Sequence, residues 1–362
     1  MSKKFINFLI EFIKNNADWE QKLQDKPYCI SIRRKNNFII FNYDQVESDF
    51  YNPIVRGCRG VILEDKTFKP VCVPFYKFGN YGEGYADTID WYTARVQEKV
   101  DGSLIKVWYY NGEWKVSTNG MIDARDAELA CNISEYKTFY DLFIKAVENV
   151  GLDFNKLNPR YTYMFELISP FNRVVVPYTE ISLRHIGTRD IDTLEELNID
   201  IGVPKPKEYS FKSLNECIRV AQELPFNEEG YVVVDGNWHR IKVKSPAYVA
   251  VHHLKNNGLI TKERIVELIR LNEYEEFLNY YPEYTEQIIN IKNKIYLFIE
   301  NMNSAIDKAQ NTIFSTRKDF AEFAKKTMCP ALMFSWYDKK VSTVKEWLWH
   351  RTNEKIVMLI GE

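Results

Sequence analysis

Between residues 28 and 249 the chain is cut into short apolar runs rich in Val, Ile, Tyr and Phe, separated by Gly, Asn, Asp and Pro. Such runs predict strands, because β-branched and aromatic side chains suit a pleated surface and the punctuating residues suit turns. Two hairpins stand out. Residues 104–110 turn at Asn111-Gly112 into 113–118, and residues 231–234 turn at Asp235-Gly236-Asn237 into 238–244. Helical insertions are expected over 127–150 and 213–223. The first fifteen residues space Phe5, Leu9, Phe12 and Ile13 as an amphipathic surface helix does. After Ser245-Pro246 the pattern turns helical, with helices expected over 262–271, 284–308, 318–327 and 344–350, the last opened by a Thr343-x-x-Glu346 capping box. The fold class is therefore α+β, an antiparallel-sheet core followed by a smaller all-α C-terminal domain, with domains 1–249 and 250–362.

Length agrees with this division, since 362 residues exceed the roughly 250–300 at which single cores stop growing. Charge narrows the partners. With 48 basic against 50 acidic residues the net charge is −2, so no global positive field recruits nucleic acid, and a polyanion must be held by a local stripe of Lys and Arg. Cys29, Cys58, Cys72, Cys131, Cys217 and Cys329 form no C-x-x-C pair, which argues against a zinc ribbon and for reduced, buried thiols. Asn7, Glu11 and Lys14 interrupt the N-terminal stretch before it could act as a signal segment, and no apolar run reaches the ~18 residues that span a bilayer. The expectation is a soluble, cytoplasmic monomer with no membrane partner.

Candidate chemistry centres on Lys99-Val100-Asp101-Gly102. A lysine that attacks a phosphate must be uncharged, which burial or neighbouring cations bring about. Asp101-Gly102 is expected to supply a tight turn, so that Lys99 at the end of one strand faces a pocket closed by the next. Any exposed hairpin can carry K-x-D-G, so the remaining segments matter. On a strand over 240–244 the period of two puts Arg240, Lys242 and Lys244 on one face and Ile241 and Val243 on the other. A tight hairpin couples this row to Glu229-Gly230. Glu166 stands among Tyr163, Phe165, Leu167 and Ile168, where a solvent-facing charge is a poor account of it. His252-His253 point apart on any regular element and make a poor metal site, while Trp336, Trp347 and Trp349 are expected in the core of the helical domain.

In order, Arg59-Gly60-Val61, Lys77-Phe78-Gly79-Asn80, Lys99-Val100-Asp101-Gly102-Ser103-Leu104, Phe165-Glu166-Leu167-Ile168-Ser169-Pro170-Phe171-Asn172-Arg173-Val174-Val175, Glu229-Gly230-Tyr231-Val232 and Ile241-Lys242-Val243-Lys244-Ser245 resemble the covalent nucleotidyltransferase superfamily. Within it they are most similar to the RNA ligase 1 family of tailed bacteriophages. The resemblance implies an ATP-dependent RNA ligase. Lys99 would attack the α-phosphate of ATP to form lysyl-AMP, pass AMP to an RNA 5′-phosphate, and let a 3′-hydroxyl displace AMP, in the service of RNA repair. Arg59, Lys77, Lys242 and Lys244 would contact phosphates, with Arg56 the competing choice for Arg59. Glu166 would hold the ribose hydroxyls, Glu229 a magnesium ion, and Phe78, Gly102 and Gly230 would complete the nucleotide site. Two positions depart from the family pattern: Gly79 stands where an aromatic is usual and Asn119 where a basic residue is usual. The RNA could be a broken tRNA or a general single strand. Cations of the helical domain, among them Lys255, Lys262, Arg264, Lys292, Lys294, Arg317 and Lys318, would select it. The alternatives are a DNA ligase or capping-type enzyme on the same core, and a catalytically dead RNA-binding scaffold.

Overall fold

The computed structural model describes residues 2–129, 135–253 and 260–362. Cys131, Lys255 and the side chains of His252 and His253 lie outside what is described. The chain forms two compact units, Met1–His252 and His253–Glu362.

Three sheets build the first unit, and every pairing between their strands is antiparallel. The first is a meander of β1 (Ile30–Lys35), β2 (Phe38–Tyr43), β3 (Arg59–Glu64) and β4 (Pro70–Cys72). β5 (Arg95–Glu98) leaves it for another sheet. The next strands, β6 (Ser103–Tyr110), β7 (Glu113–Thr118), β8 (Tyr161–Ile168), β9 (Ser182–Asp190) and β10 (Glu196–Leu197), form a five-stranded sheet in the order β10-β9-β8-β6-β7. The third sheet joins β11 (Glu208–Tyr209), β5, β12 (Gly230–Val234) and β13 (Arg240–Lys244) in that order.

Each sheet buries one face under helix. Ser2–Asn15 seats Ile6, Leu9 and Ile13 on the first sheet, against Ile39, Phe41 and Leu63. Phe139–Val150 lays Leu142, Phe143 and Ala146 on Ile105, Val107, Tyr163 and Phe165 of the five-stranded sheet. Truncating one such fully buried leucine costs about 2–5 kcal/mol. Leu214–Gln222, capped by Ser213, places Cys217 and Ala221 on Val96, Val233, Ile241 and Val243. The apolar face of β13 is thus committed to core, which leaves its cations on the opposite side.

Several boundaries differ from expectation. The helix expected over 127–150 begins at Phe139, because Thr138 and Asp141 close a capping box and Glu128 instead bridges Thr138. The second hairpin is wider than a two- or three-residue turn. Trp238 takes φ +65°, the Asp235 carboxylate collects the N–H groups of Asn237 and His239, and the strand starts only at Arg240. The first hairpin does turn at Asn111 and Gly112, whose φ values of 47° and 88° suit a primed turn.

The second unit is all helix among the described residues. Lys262–Arg270, Thr285–Gln310, Arg317–Ala324 and Val344–Trp349 answer the expected segments, and Thr343 and Glu346 form the capping box. The long helix buries Ile288, Ile291, Ile295, Phe298 and Met302 along one stripe. Trp347 is buried and donates to Ser335 Oγ at 3.0 Å, while Trp336 and Trp349 are half-buried. Tyr274–Tyr280, Pro330–Tyr337 and Asn353–Leu359 fall outside the expected segments; all three are short, and none opens with the capping box that marks Val344–Trp349. No helix among the described residues is long and apolar enough to cross a membrane.

Candidate active site

The uncovered faces of the five-stranded and third sheets enclose a cavity of about 320 Å³. Leu104, Glu166 and Ile186 form one wall and Gln97, Val232, Arg240, Lys242 and Lys244 the other. Arg59, Phe75, Phe78 and Asn119 close the sides, and Lys99, Gly102 and Glu229 stand where the sheets meet.

Lys99 directly follows β5, and its N–H donates to Gly230 O at 2.8 Å. Its Nζ lies 2.7 Å from Glu229 Oε2, a carboxylate only 5 % exposed, and Lys244 Nζ is 3.8 Å from the other oxygen. The register Gly230↔Lys244 creates this grouping. Gly230 has φ +129°, and a Cβ there would stand 2.2 Å from Val243 O, so only glycine lets β12 begin beside β13. A Cβ at Gly102 would meet Leu167 O at 2.4 Å, which explains glycine where β6 enters against β8.

Asp101 does more than the expected turn. Its 5 %-exposed carboxylate accepts from the Val175 and Val176 N–H groups at 2.9 and 2.7 Å and from Tyr248 Oη at 2.9 Å. Asn172 Nδ2 donates to Ser103 Oγ at 3.0 Å and Leu167 O at 2.8 Å. Residues 99–103, which cross between two sheets, are therefore pinned from outside, and Lys99 is held by rigid surroundings. Asn172 and Val175 stand in the stretch that carries the family resemblance, but the sequence did not show that they pin residues 101 and 103, about seventy residues away.

Among the cations, Arg59 and Lys242 both face the Phe78 ring, at 5.8 and 5.3 Å from its centroid. Arg59 Nη1 is buried without a hydrogen-bond partner. Arg56 is otherwise engaged, ion-paired to Asp87 at 2.8 Å and packed on Phe5 and Tyr76, so the cavity takes its arginine from position 59. Lys77 corrects expectation. Its buried Nζ points to the Tyr43 and Phe50 rings, at 5.2 and 4.7 Å, and it does not line the cavity. The next residue, Phe78, takes the cavity side in its place. Gly230 likewise contributes backbone and no lining surface. Arg240 lines the cavity but is neutralised by Glu196, at 3.0 and 2.6 Å.

Glu166 sits on central β8, opposite Leu104 and Arg184. It is half-buried and makes no hydrogen bond or ion pair with any described residue. Burial is the main cause that pushes its carboxyl up to about 7, with Glu229 and Asp101 acting in the same direction and Lys99 and Arg59 opposing. A carboxylate in this state is a hydrogen-bond acceptor in want of donors. Phe75, Leu104, Ile186 and Val232 were missed as lining residues; strand alternation places them on a face but does not show that the face encloses a cavity.

A family model described as RNA ligase matches residues 57–248, a range that holds Arg59, Lys77, Phe78, Lys99, Gly102, Glu166, Glu229, Gly230, Lys242 and Lys244. The chain is 33 % identical over 294 residues to a putative bifunctional polynucleotide kinase/RNA ligase of Autographa californica nuclear polyhedrosis virus, covering 75 % of this chain and 40 % of that protein. It is 26 % identical over 380 residues to an RNA ligase of Rhodothermus phage RM378, covering 85 % and 84 %. Among solved structures an archaeal ATP-dependent RNA ligase superposes with a TM-score of 0.45 at 13 % identity, over 80 % of this chain and 82 % of that one. With more than half its length matched by that family model, and with strands that bring the matched motifs to one cavity, the chain belongs to the RNA ligase 1 family.

Proposed function

We propose that the protein is an ATP-dependent RNA ligase acting through lysyl-AMP. The observation that carries this reading is the convergence of Lys99, Glu229, Arg59, Lys242, Lys244 and the unpartnered Glu166 on one cavity. Arg59, Lys242 and Lys244 hold the phosphates, and Glu166 accepts from the ribose hydroxyls. Phe78 with Leu104 and Ile186 offers apolar surface to the base. Gly102 and Gly230 allow the close approach of backbone, while Lys77 has no part. Lys99 Nζ, freed of a proton, forms a bond to the α-phosphorus as the bond to the pyrophosphate oxygen breaks. The cations stabilise the charge that moves onto pyrophosphate. AMP then passes to an RNA 5′-phosphate, and a 3′-hydroxyl attacks that phosphate to release AMP and seal the strand.

A divalent cation, magnesium in this reading, would neutralise phosphate charge. Glu229 fits as its protein ligand. No group of three His, Cys, Asp or Glu able to hold a metal occurs among the described residues, so phosphate and water oxygens would fill most of the shell, as suits a hard cation.

The reading extends to a cytoplasmic monomer in RNA repair, tRNA included among its substrates. Cys58, Cys72, Cys217 and Cys329, buried thiols in no disulfide among the described residues, suit a reducing compartment. The kinase named for the baculovirus relative, which would supply 5′-phosphates, supports repair. Residues 1–249 would be the adenylyltransferase domain and 250–362 the RNA-selecting domain; a chain ending at residue 252 should keep AMP uptake and lose preference among RNA ends. The central test incubates the full chain with α-labelled ATP and a divalent cation. Label on the protein that withstands alkali and is released by acid, as a P–N bond requires, is expected, and its absence from folded protein would overturn the proposal.

A further inference from the structure

Lys106 lies in β6, two residues beyond cavity-lining Leu104 and on the same face of the strand, yet it is 0 % exposed. Its Nζ donates to Gly60 O and has no other partner among the described residues. An ammonium has three donors, and a lysine is seldom buried without a counter-charge. The volume alone could be filled by an apolar residue with no desolvation cost. Position supplies a reason for the charge. A Cβ on Gly60 would stand 2.9 Å from Lys106 Nζ and 2.5 Å from Asn119 O, so the ammonium comes up behind two neighbours, Arg59 and Asn119, that both line the cavity.

We infer that Lys106 is a positioning residue for the nucleotide phosphates: its ammonium fixes the Arg59-Gly60 bulge at the start of β3 from behind and adds positive charge at the corner where Asn119 brings none. This deepens the proposed function and rests on it. The groups facing Lys106 are Arg59 from β3 and Cys72 from β4, while β7 and β8 present uncharged Ser117 and Met164. Burial above all lowers the ammonium to about 8, opposed by Cys72 and aided, less strongly, by Arg59. Phosphates entering the cavity favour the charged form, so nucleotide binding on the alkaline side draws in a proton.

The test titrates the full chain with α,β-methylene-ATP, which cannot transfer AMP, by calorimetry at pH about 9 in two buffers of different ionisation enthalpy. Wild type should take up a large fraction of one proton. Lys106→Met, similar in volume and neutral, should take up none and bind about 10-fold more weakly, the scale of one charge acting across several ångströms of protein. Equal affinity and equal proton uptake in the two proteins would overturn the inference. Should Lys106→Met fail to fold, Lys106→Gln takes its place; should both fail, wild-type uptake that grows between pH about 7 and about 9 supports the inference and its absence overturns it. A wild type that binds without proton uptake overturns this inference alone. One that neither binds the analogue nor takes label from ATP overturns the nucleotide reading as well.

Discussion

Two kinds of charged region meet at Arg240 on the cavity wall, one behind it and one within the cavity. Around Glu196 the charges neutralise one another: Arg189 and Arg240 both pair with it, at 2.5 and 2.6 Å, all three side chains are at most 5 % exposed, and only Arg189 Nε is left without a hydrogen bond. Around Lys99 they are left open. Glu166 has no hydrogen-bond or ion-pair partner among the described residues, Arg59 keeps a buried Nη1 unsatisfied, and Glu229 is shared unequally between Lys99 at 2.7 Å and Lys244 at 3.8 Å. A buried ion pair whose charges cancel ties β10 to β13 and so joins the sheets on either side of the cavity. Charges without internal partners are costly to keep, and a ligand that completes them would offset that cost.

Substitutions at the open region should strike chemistry and spare the fold. Lys99→Ala has the largest expected effect, complete loss of label transfer from α-labelled ATP, while joining of RNA already bearing a 5′-adenylate persists. Labelling at the wild-type rate would remove Lys99 from the role of nucleophile. Lys242→Ala and Lys244→Ala should each slow adenylylation by about 100- to 1000-fold, the usual cost of losing one group that stabilises transition-state charge. Circular dichroism of both variants should match wild type; a lost folded signal would move these lysines to the structural side of the comparison.

At the closed region the order reverses. Glu196→Ala strands two buried guanidinium groups and should cost about 3–5 kcal/mol of stability, measured by denaturant unfolding. A loss under ~1 kcal/mol would show that the triad is not the brace described here.

The subtlest expectation concerns Glu166. Its carboxyl titrates at about 7 in the folded chain, above the 4.5 of an unperturbed glutamate, so the fold gains from its protonation at low pH and loses that gain as pH rises through 7. Glu166→Gln should therefore be more stable than wild type at pH about 8, by about 1–2 kcal/mol after allowance for water in the cavity, with the difference vanishing near pH 4.5. The variant should also lose adenylylation. Equal melting temperatures at both pH values would mean that the carboxylate is already satisfied.

The sequence alone determined whatever depends on near neighbours. Asn111-Gly112 dictated a hairpin, Thr343 and Glu346 a helix start, and a period of two put Arg240, Lys242 and Lys244 on the face opposite Ile241 and Val243. The order of motifs carried the family. Tertiary structure alone decided which charges are spoken for, because the partner of each lies in another sheet or a distant turn. Arg56 and Arg59 stand three residues apart in one R-G-x-R-G run, yet Asp87 claims the first and leaves the second to the cavity. Lys77 is drawn to Tyr43 and Phe50, Arg240 to Glu196, and Lys106 to the carbonyl of Gly60. A sequence gives each side chain its charge and its face. Only the packed sheets bring two distant side chains within the few ångströms over which one charge neutralises another.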